Sequence, residues 1–373
     1  MRYRRFGRTN LQISVFSLGT MRCLASELEA QQTIEQAVAQ GINHLETAQG
    51  YGKSEQYLGL ALTQLAVPRE QLIVTTKLPP TADAASMRRG IAQSLERLQL
   101  DYLDCLAIHG LNTWEHLAWI AKPNGCMQAV REAITDGQVH HVGFSTHGAL
   151  ELILAAIDTE LFEFVNLHYY LFFQRHQIAI ERAFQRDMGI FIISPADKGG
   201  RLYTPPPTLV QLCQPFSPLE LNTRFLLSDR RITTLSVGPA NPKELAAPLV
   251  ANDKPLTTAE SSALARLEGH LQQTLGTERC SQCYQCLPCP EQINIPEVLR
   301  LRNLAVAYDM TDFGQYRYRM FENAGHWFWG RKGDRCTSCG DCLPRCPQGL
   351  NIPSLLADTH QRLNGSPRRR LWE

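Results

Sequence analysis

Two groups of residues have the types and spacing that chemistry needs. The first lies in GINHLETAQGYGKSEQYLG, residues 41–59. Ile42, His44 and Leu45 read as a strand ending at Glu46, Tyr51 follows in a Gly-bracketed loop, and Ser54 opens an amphipathic helix. A carboxylate at a strand's C-terminal end, with a tyrosine in the loop beyond it, is how a barrel enzyme presents an acid–base pair. The second group is Cys280, Cys283, Cys286 and Cys289 in CSQCYQCLPCP, with Cys336, Cys339, Cys342 and Cys346 in CTSCGDCLPRCP. Structural zinc takes four cysteines, usually as two separated pairs. Two runs of Cys-x-x-Cys-x-x-Cys suit the corners of iron–sulfur cubanes better.

The elements that must position these residues follow from the apolar pattern. Tyr3–Phe6 and Leu11–Ser14 flank the turn-rich GRTN and read as a β-hairpin. Strands are expected at Val15–Leu18, Ile42–Glu46, Leu72–Thr76, Leu103–Ile108, His140–Phe144, Phe164–Leu167, Ile190–Ile193 and Thr234–Val237. Helices are expected between and after them, at Glu27–Gln40, Ser54–Leu65, Ser86–Leu98, Cys126–Asp136, His147–Ile157, His176–Asp187, Thr208–Leu227 and Lys243–Ala251. Eight strand–helix units in about 250 residues have the size of a (β/α)₈ TIM barrel. A doubly wound sheet would carry a Gly-rich turn after its first strand, where this chain reads GTMRC. The α/β barrel then places Glu46, Lys77, His109, Ser145, Asn166, His168, Ser194 and Lys198 at or beyond the strands' carboxyl ends.

Composition bounds the rest. The 373 residues suggest one large and one small domain, and a net charge of +1 argues against nucleic acid as the main partner. The start, MRYRRFGRTNLQIS, lacks an apolar core of signal-peptide length, and no segment approaches membrane-spanning length, so a cytoplasmic protein is expected. Eight of twelve cysteines fall in the two short runs, which without a secretory signal favours metal over disulfide. Cys23, Cys105, Cys126 and Cys213 are scattered and read as structural.

SLGTM, ETAQGYGKSE, VTTKL, LAIHG, GFSTHG and ISPADKGGRL carry a resemblance to the aldo/keto reductases over Tyr3 to Val250. The resemblance implies that Tyr51 protonates a carbonyl oxygen, that Lys77 depresses the tyrosine's pKa, and that His109 orients the carbonyl. Glu46 takes the place of the family's aspartate, the lysine's partner; one methylene longer, it must tilt or displace Lys77. Ser145 and Asn166 match positions that hold a nicotinamide carboxamide. Ser194 and Lys198 after the seventh strand, and Gly238 and Asn241 after the eighth, fall where the cofactor is expected. Two departures stand out: Ile193 replaces the aromatic residue that stacks on the nicotinamide, and VGPANPKEL lacks a Lys-Ser-Arg cluster for a 2′-phosphate. NADP and NAD both stay open.

The cysteine runs resemble a dicluster [4Fe–4S] ferredoxin-type domain. The second has the bacterial ferredoxin spacing of two, two and three residues ending in Cys-Pro, and the first shortens its last interval to two. Two [4Fe–4S] clusters are implied, with the fourth cysteine of each run reaching the other cluster: Cys280, Cys283, Cys286 and Cys346, and Cys336, Cys339, Cys342 and Cys289. The expected domains are 1–253 for the barrel, a connector helix over 254–276 (Thr258–Leu275), and 277–373 for the cluster domain. Val298, Leu301, Leu304 and Ala305 share one face of a helix between the runs; Trp327, Phe328 and Trp329 are expected to fill a small core, with shielding of a cluster from water as the alternative; and the RRR before Leu371 reads as a solvated tail in preference to a docking patch for acidic carriers.

Hydride chemistry moves two electrons and a cluster one, and no flavin fingerprint stands between them. Three functions fit: an oxidoreductase whose small carbonyl or alcohol substrate exchanges electrons with the clusters, with nicotinamide binding; a nicotinamide-dependent reductase whose clusters sense redox state or recruit a partner; and an electron-relay protein with a retired barrel. Keeping Tyr51, Lys77 and His109 together argues against the third, and the first is preferred. Its external partner would be a ferredoxin or flavodoxin-type carrier.

Overall fold

The computed structural model describes residues 1–245 and 254–367. The hairpin forms as expected: β1 (Tyr3–Arg5) pairs antiparallel with β2 (Gln12–Ser14), Tyr3 opposite Ser14. Eight parallel strands then close a barrel in the order β10-β3-β4-β5-β6-β7-β8-β9. They are β3 (Phe16–Gly19), β4 (His44–Glu46), β5 (Ile73–Leu78), β6 (Leu103–His109), β7 (Val139–Ser145), β8 (Phe164–Leu167), β9 (Gly189–Ile192) and β10 (Thr234–Val237). Around them run α1 (Glu27–Ala39), α2 (Ser54–Gln64), α3 (Ala84–Leu98), α4 (Trp114–Ala121), α5 (Cys126–Thr135), α6 (Leu150–Asp158) and α7 (Gln177–Gln185), followed by α8 (Pro207–Cys213) and α9 (Pro218–Ser228).

Strand periodicity separates two apolar layers. Leu45, Val74, Leu106, Ile108, Phe144, Val165 and Ile192 face the helices, in one continuous core. Their alternates face the barrel axis, where Phe6 from the hairpin packs with Ile13, Ile73, Cys105, Ala107, Phe164, Phe191 and Ile193. Gly143 makes room for this plug, since a Cβ there would come within 2.4 Å of the Phe164 ring. Above the plug, His44 accepts or donates to Ser17 at 2.6 Å and Thr75 at 2.7 Å, and Ser17 reaches Thr234 at 2.7 Å. Inward-facing residues one step further along the strands form the candidate site.

Three helix expectations change. The helix α4 was not anticipated; it is a short insert before α5, capped by Thr113, whose hydroxyl accepts from the His116 amide. A single helix over Thr208–Leu227 is replaced by α8 and α9, because Pro215 and Pro218 lack the N–H that continuation requires. Of the helix expected over Lys243–Ala251, Pro242–Leu245 forms a short 3₁₀ turn and residues 246–253 lie outside the described residues. Arg368–Arg370 also lie outside them.

Packing divides the chain into two units, Met1–Gly199 with Asn222–Pro255 and Gly200–Leu221 with Leu256–Glu373. In the second unit α10 (Thr258–Leu275) starts with a reciprocal cap between Thr257 and Glu260, and Arg266 donates to Leu212 O at 2.8 Å. The helices α11 (Ile295–Tyr308), α12 (Thr311–Tyr318) and α13 (Ile352–Leu363) follow. The helix α11 is buried on nearly all sides, not on one face. Its charges stay inside because Arg300 pairs with Glu297 at 2.6 Å and Arg302 with Asp358 at 2.6 Å. Among the described residues no helix is long and apolar enough to cross a membrane.

Candidate active site and iron–sulfur sites

Glu46 ends β4 and is 4% exposed, and Lys77 on β5 is 1% exposed, so neither charge survives alone. Lys77 Nζ sits 2.7 Å from Glu46 Oε1 and donates to Thr47 O at 2.8 Å. The longer carboxylate therefore keeps its ion pair. Asn166 Nδ2, on β8, donates to the same Oε1 at 3.2 Å. Gly19 lets β10 approach β3 here, since a Cβ there would come within 2.7 Å of Ser236 Oγ.

Backbone bonds set the position of Tyr51. Gln49 N donates to Lys77 O at 3.0 Å, Tyr51 N to Ala48 O at 3.0 Å, and Ser54 N to Tyr51 O at 3.1 Å. The Ser54 hydroxyl lies 2.8 Å from that of Thr47 and 2.6 Å from that of Thr20, which fastens the loop to β3 and β4. The half-buried Tyr51 ring meets His109 edge-on at 5.6 Å, and Lys77 Nζ lies 4.8 Å from the ring centroid.

Burial, and then the charge of Glu46, raise the Tyr51 phenol well above its ordinary value. Lys77, expected to depress that value, is itself paired with Glu46 at 2.7 Å. Burial also lowers Lys77, against the opposing pull of Glu46. His44 is held neutral, its pKa lowered to about 3 by burial and then by Lys77. A phenol in this state stays protonated near neutral pH; it is a weaker acid than a free tyrosine, yet still acidic enough to protonate a developing alkoxide.

His109, Ser145 and Asn166 are register neighbours on β6, β7 and β8 and form one row across the barrel wall. Asn166 Oδ1 is buried with no hydrogen-bond partner, an acceptor that complements a carboxamide N–H. The residues present fit a nicotinamide at this point. Ser194 and Lys198 lie in the loop after β9, where Lys198 N donates to Ser194 O at 3.0 Å. Gly238 is exposed after β10, and the Asn241 side chain accepts from Lys243 N at 3.1 Å.

The cysteines form two sets. A recess of about 330 Å³, part of it open to solvent, is lined by Cys336, Cys339, Cys342 and, from the other run, Cys289. Burial pushes the Cys280 thiol up to about 11, and the thiols whose charge adds to the shift are Cys283 and Cys346. Burial likewise pushes Cys286 up to about 12, with Cys280, Cys283 and Cys342 adding to it, so the two sets are neighbours. The loops repeat each other. Gln282 (φ 58°) and Tyr284 (φ 62°) in the first run match Ser338 (φ 57°) and Gly340 (φ 85°) in the second. Left-handed residues in such loops turn successive N–H groups inward, a concavity suited to an anionic cluster, and Gln282 N points at Cys280 Sγ at 3.4 Å. After each run an asparagine, Asn294 or Asn351, caps a helix that begins Ile-Pro. The eight thiols fit two [4Fe–4S] clusters. The remaining four, Cys23, Cys105, Cys126 and Cys213, are buried and unpaired.

Two features were not read from the sequence. His44 is the hub of the polar layer beneath Glu46, and its place as the alternate inward residue of its strand was the available signal. Arg22 and Glu244 form an ion pair at 2.8 Å between loops far apart in the chain, for which the sequence holds no signal.

A barrel with its acid and ion pair at the carboxyl ends, followed in the chain by a unit that carries two sets of thiols, defines an aldo/keto reductase with an iron–sulfur extension. Residues 16–204, about half the chain, match the aldo/keto reductase family, and the chain belongs to that family. Residues 279–350 match the 4Fe-4S dicluster domain. L-galactose dehydrogenase from Arabidopsis thaliana is 38% identical over 120 residues, 29% of this chain and 38% of that protein. Protein tas from Escherichia coli is 31% identical over 160 residues, 36% of this chain and 43% of that protein. The chain thus spans less than half the length of these curated relatives. An aldo-keto reductase from Bacillus halodurans in its holo form superposes with a TM-score of 0.62 at 21% identity, over 71% of this chain and 96% of that one. At that identity the likeness shows the fold.

Proposed function

We infer that the protein is an oxidoreductase that interconverts a small carbonyl compound and its alcohol in the barrel, with electron exchange through two [4Fe–4S] clusters and with NADP or NAD binding. The observation that supports it is the Tyr51 ring standing between His109 and the Lys77–Glu46 pair at the strands' carboxyl ends. In reduction, Tyr51 gives its proton to the carbonyl oxygen while the His109 edge orients that oxygen. The raised phenol pKa keeps the proton in place until then. Lys77, held by Glu46 and Thr47 O, stands 4.8 Å from the ring centroid and fixes the carboxylate beside it. Asn166 and Ser145 would hold a nicotinamide carboxamide, with Ser194, Lys198, Gly238 and Asn241 toward the rest of that cofactor. Cys280, Cys283, Cys286 and Cys346 would hold one cluster, and Cys336, Cys339, Cys342 and Cys289 the other. When bound, a nicotinamide would supply the hydride that with the Tyr51 proton completes the two-electron reduction, and each cluster would exchange one electron at a time with an external carrier. The external electron source would be a one-electron carrier of the ferredoxin or flavodoxin type.

Anaerobic protein titrated with NADPH and with NADH, while the broad visible cluster absorption and the nicotinamide band are followed, tests the reading. Bleaching of the clusters is the expected result. Nicotinamide binding without bleaching would favour a reductase whose clusters serve sensing or recruitment, and no binding at all would favour an electron-relay protein with a retired barrel.

A further inference from the structure

The loops after the first and last barrel strands are fastened together. Arg22 Nη1 donates to Gly238 O at 3.0 Å and to Glu244 Oε2 at 2.8 Å, and the Cys23 thiol donates to Pro239 O at 3.1 Å. The same Glu244 oxygen accepts from Ala240 N at 3.0 Å. A guanidinium and a backbone N–H converging on one oxygen is the arrangement that a phosphate oxygen takes. The loops after the last strands of such barrels are a frequent place for phosphate. Here the chain's own carboxylate occupies that arrangement.

The geometry points to Glu244 as a resident anion that makes the barrel discriminate against a dinucleotide carrying an additional phosphate, and so select NADH over NADPH. This rests on the nicotinamide part of the proposed function. A phosphate entering the loop must displace a carboxylate from Arg22 or share one guanidinium with it, and the two anions repel. A ribose hydroxyl, by contrast, donates to a carboxylate without charge conflict. Arg22 and Glu244 are 50% and 40% exposed, so solvent screens the repulsion and the discrimination is modest. It weakens as salt rises.

The test measures dissociation constants of the full chain and of Glu244→Gln for two pairs of ligands. One is NADH with NADPH; the other, independent of the nicotinamide ring, is adenosine 5′-monophosphate with adenosine 2′,5′-bisphosphate. Glutamine keeps the length and the bond from Ala240 N but removes the charge. The full chain is expected to favour the member of each pair without the 2′-phosphate. Glu244→Gln is expected to tighten the phosphorylated member about three- to tenfold and leave the other within about twofold. Adding Arg22→Gln to that variant should reverse the gain. A native preference for the phosphorylated members, or an equal response of both to Glu244→Gln, overturns the proposal. Discrimination between the adenosine ligands without binding of either nicotinamide supports it and removes the nicotinamide reading. Nicotinamide binding without discrimination does the opposite, and binding of none of the four overturns both.

Discussion

Glu46 and Asn166 stand on strands four places apart in an eight-stranded closed barrel, directly across its axis, and Asn166 Nδ2 still donates to Glu46 Oε1 at 3.2 Å. The same oxygen holds Lys77 at 2.7 Å. A carboxylate accepts and never donates, so this bond turns the Asn166 amide and leaves its carbonyl oxygen as the buried acceptor without a donor. The length of glutamate makes this span. An aspartate, shorter by about 1.5 Å of chain, could keep the lysine or the asparagine but would strain to hold both.

Glu46→Asp is therefore expected to lower turnover by on the order of a hundredfold, the scale of a misplacement near 1 Å. Stability should change little, since one carboxylate still faces Lys77. Reduction of a simple aromatic aldehyde by both forms decides the matter; unchanged or higher activity in the aspartate form would mean that the Asn166 contact is dispensable. Glu46→Gln should behave differently, leaving Lys77 buried without a counter-charge and destabilising the barrel by about 3–5 kcal/mol.

Tyr51→Phe should lower carbonyl reduction by about 10² to 10⁴ while leaving nicotinamide affinity nearly unchanged, because only the proton is removed. The direction of the phenol shift adds a pH expectation. The acid form is the active one, and it is lost only as pH rises through a value well above 10. Reduction should not fall between about pH 7 and 9 through this group; a loss with an apparent pKa in that range would show that Lys77 controls the phenol after all.

His44 gives the barrel an acid-sensitive floor. Its folded pKa of about 3 lies below the ordinary histidine value of 6.5, so the unfolded chain binds a proton that the folded one refuses. Stability from this group is fully present above about pH 6.5 and is lost progressively as pH falls toward 3. The barrel's thermal stability should fall from pH 7 to 5, and His44→Gln should be less stable at pH 7 but show a shallower acid slope. Equal slopes would exclude His44 as the source.

Cys289→Ser should disturb the same cluster as Cys339→Ser, because Cys289 lines the recess with Cys336, Cys339 and Cys342. Iron content and electron paramagnetic resonance distinguish the cases. A spectrum altered in the same way as in Cys286→Ser would place Cys289 in the cluster of its own run.

Local pattern was enough for the barrel, the hairpin and the eight cysteines, because strand alternation and a three-residue thiol interval are properties of neighbours in the chain. Glu46, Lys77, His109, Ser145 and Asn166 were legible for the same reason: each is the last inward-facing residue of its strand or close to it. The break between α8 and α9 was legible in principle too, since Pro215 and Pro218 interrupt the backbone bonds locally. What pairs with what was not. The sequence holds no trace that Glu46 reaches Asn166, 120 residues away, or that Glu244 closes on Arg22, 222 residues away. Nor does it show that burial would raise the Tyr51 phenol where the neighbouring lysine was expected to lower it. Spacing decides which residues face the axis; only barrel closure brings opposite strands within hydrogen-bond reach and removes the water that would otherwise screen their charges.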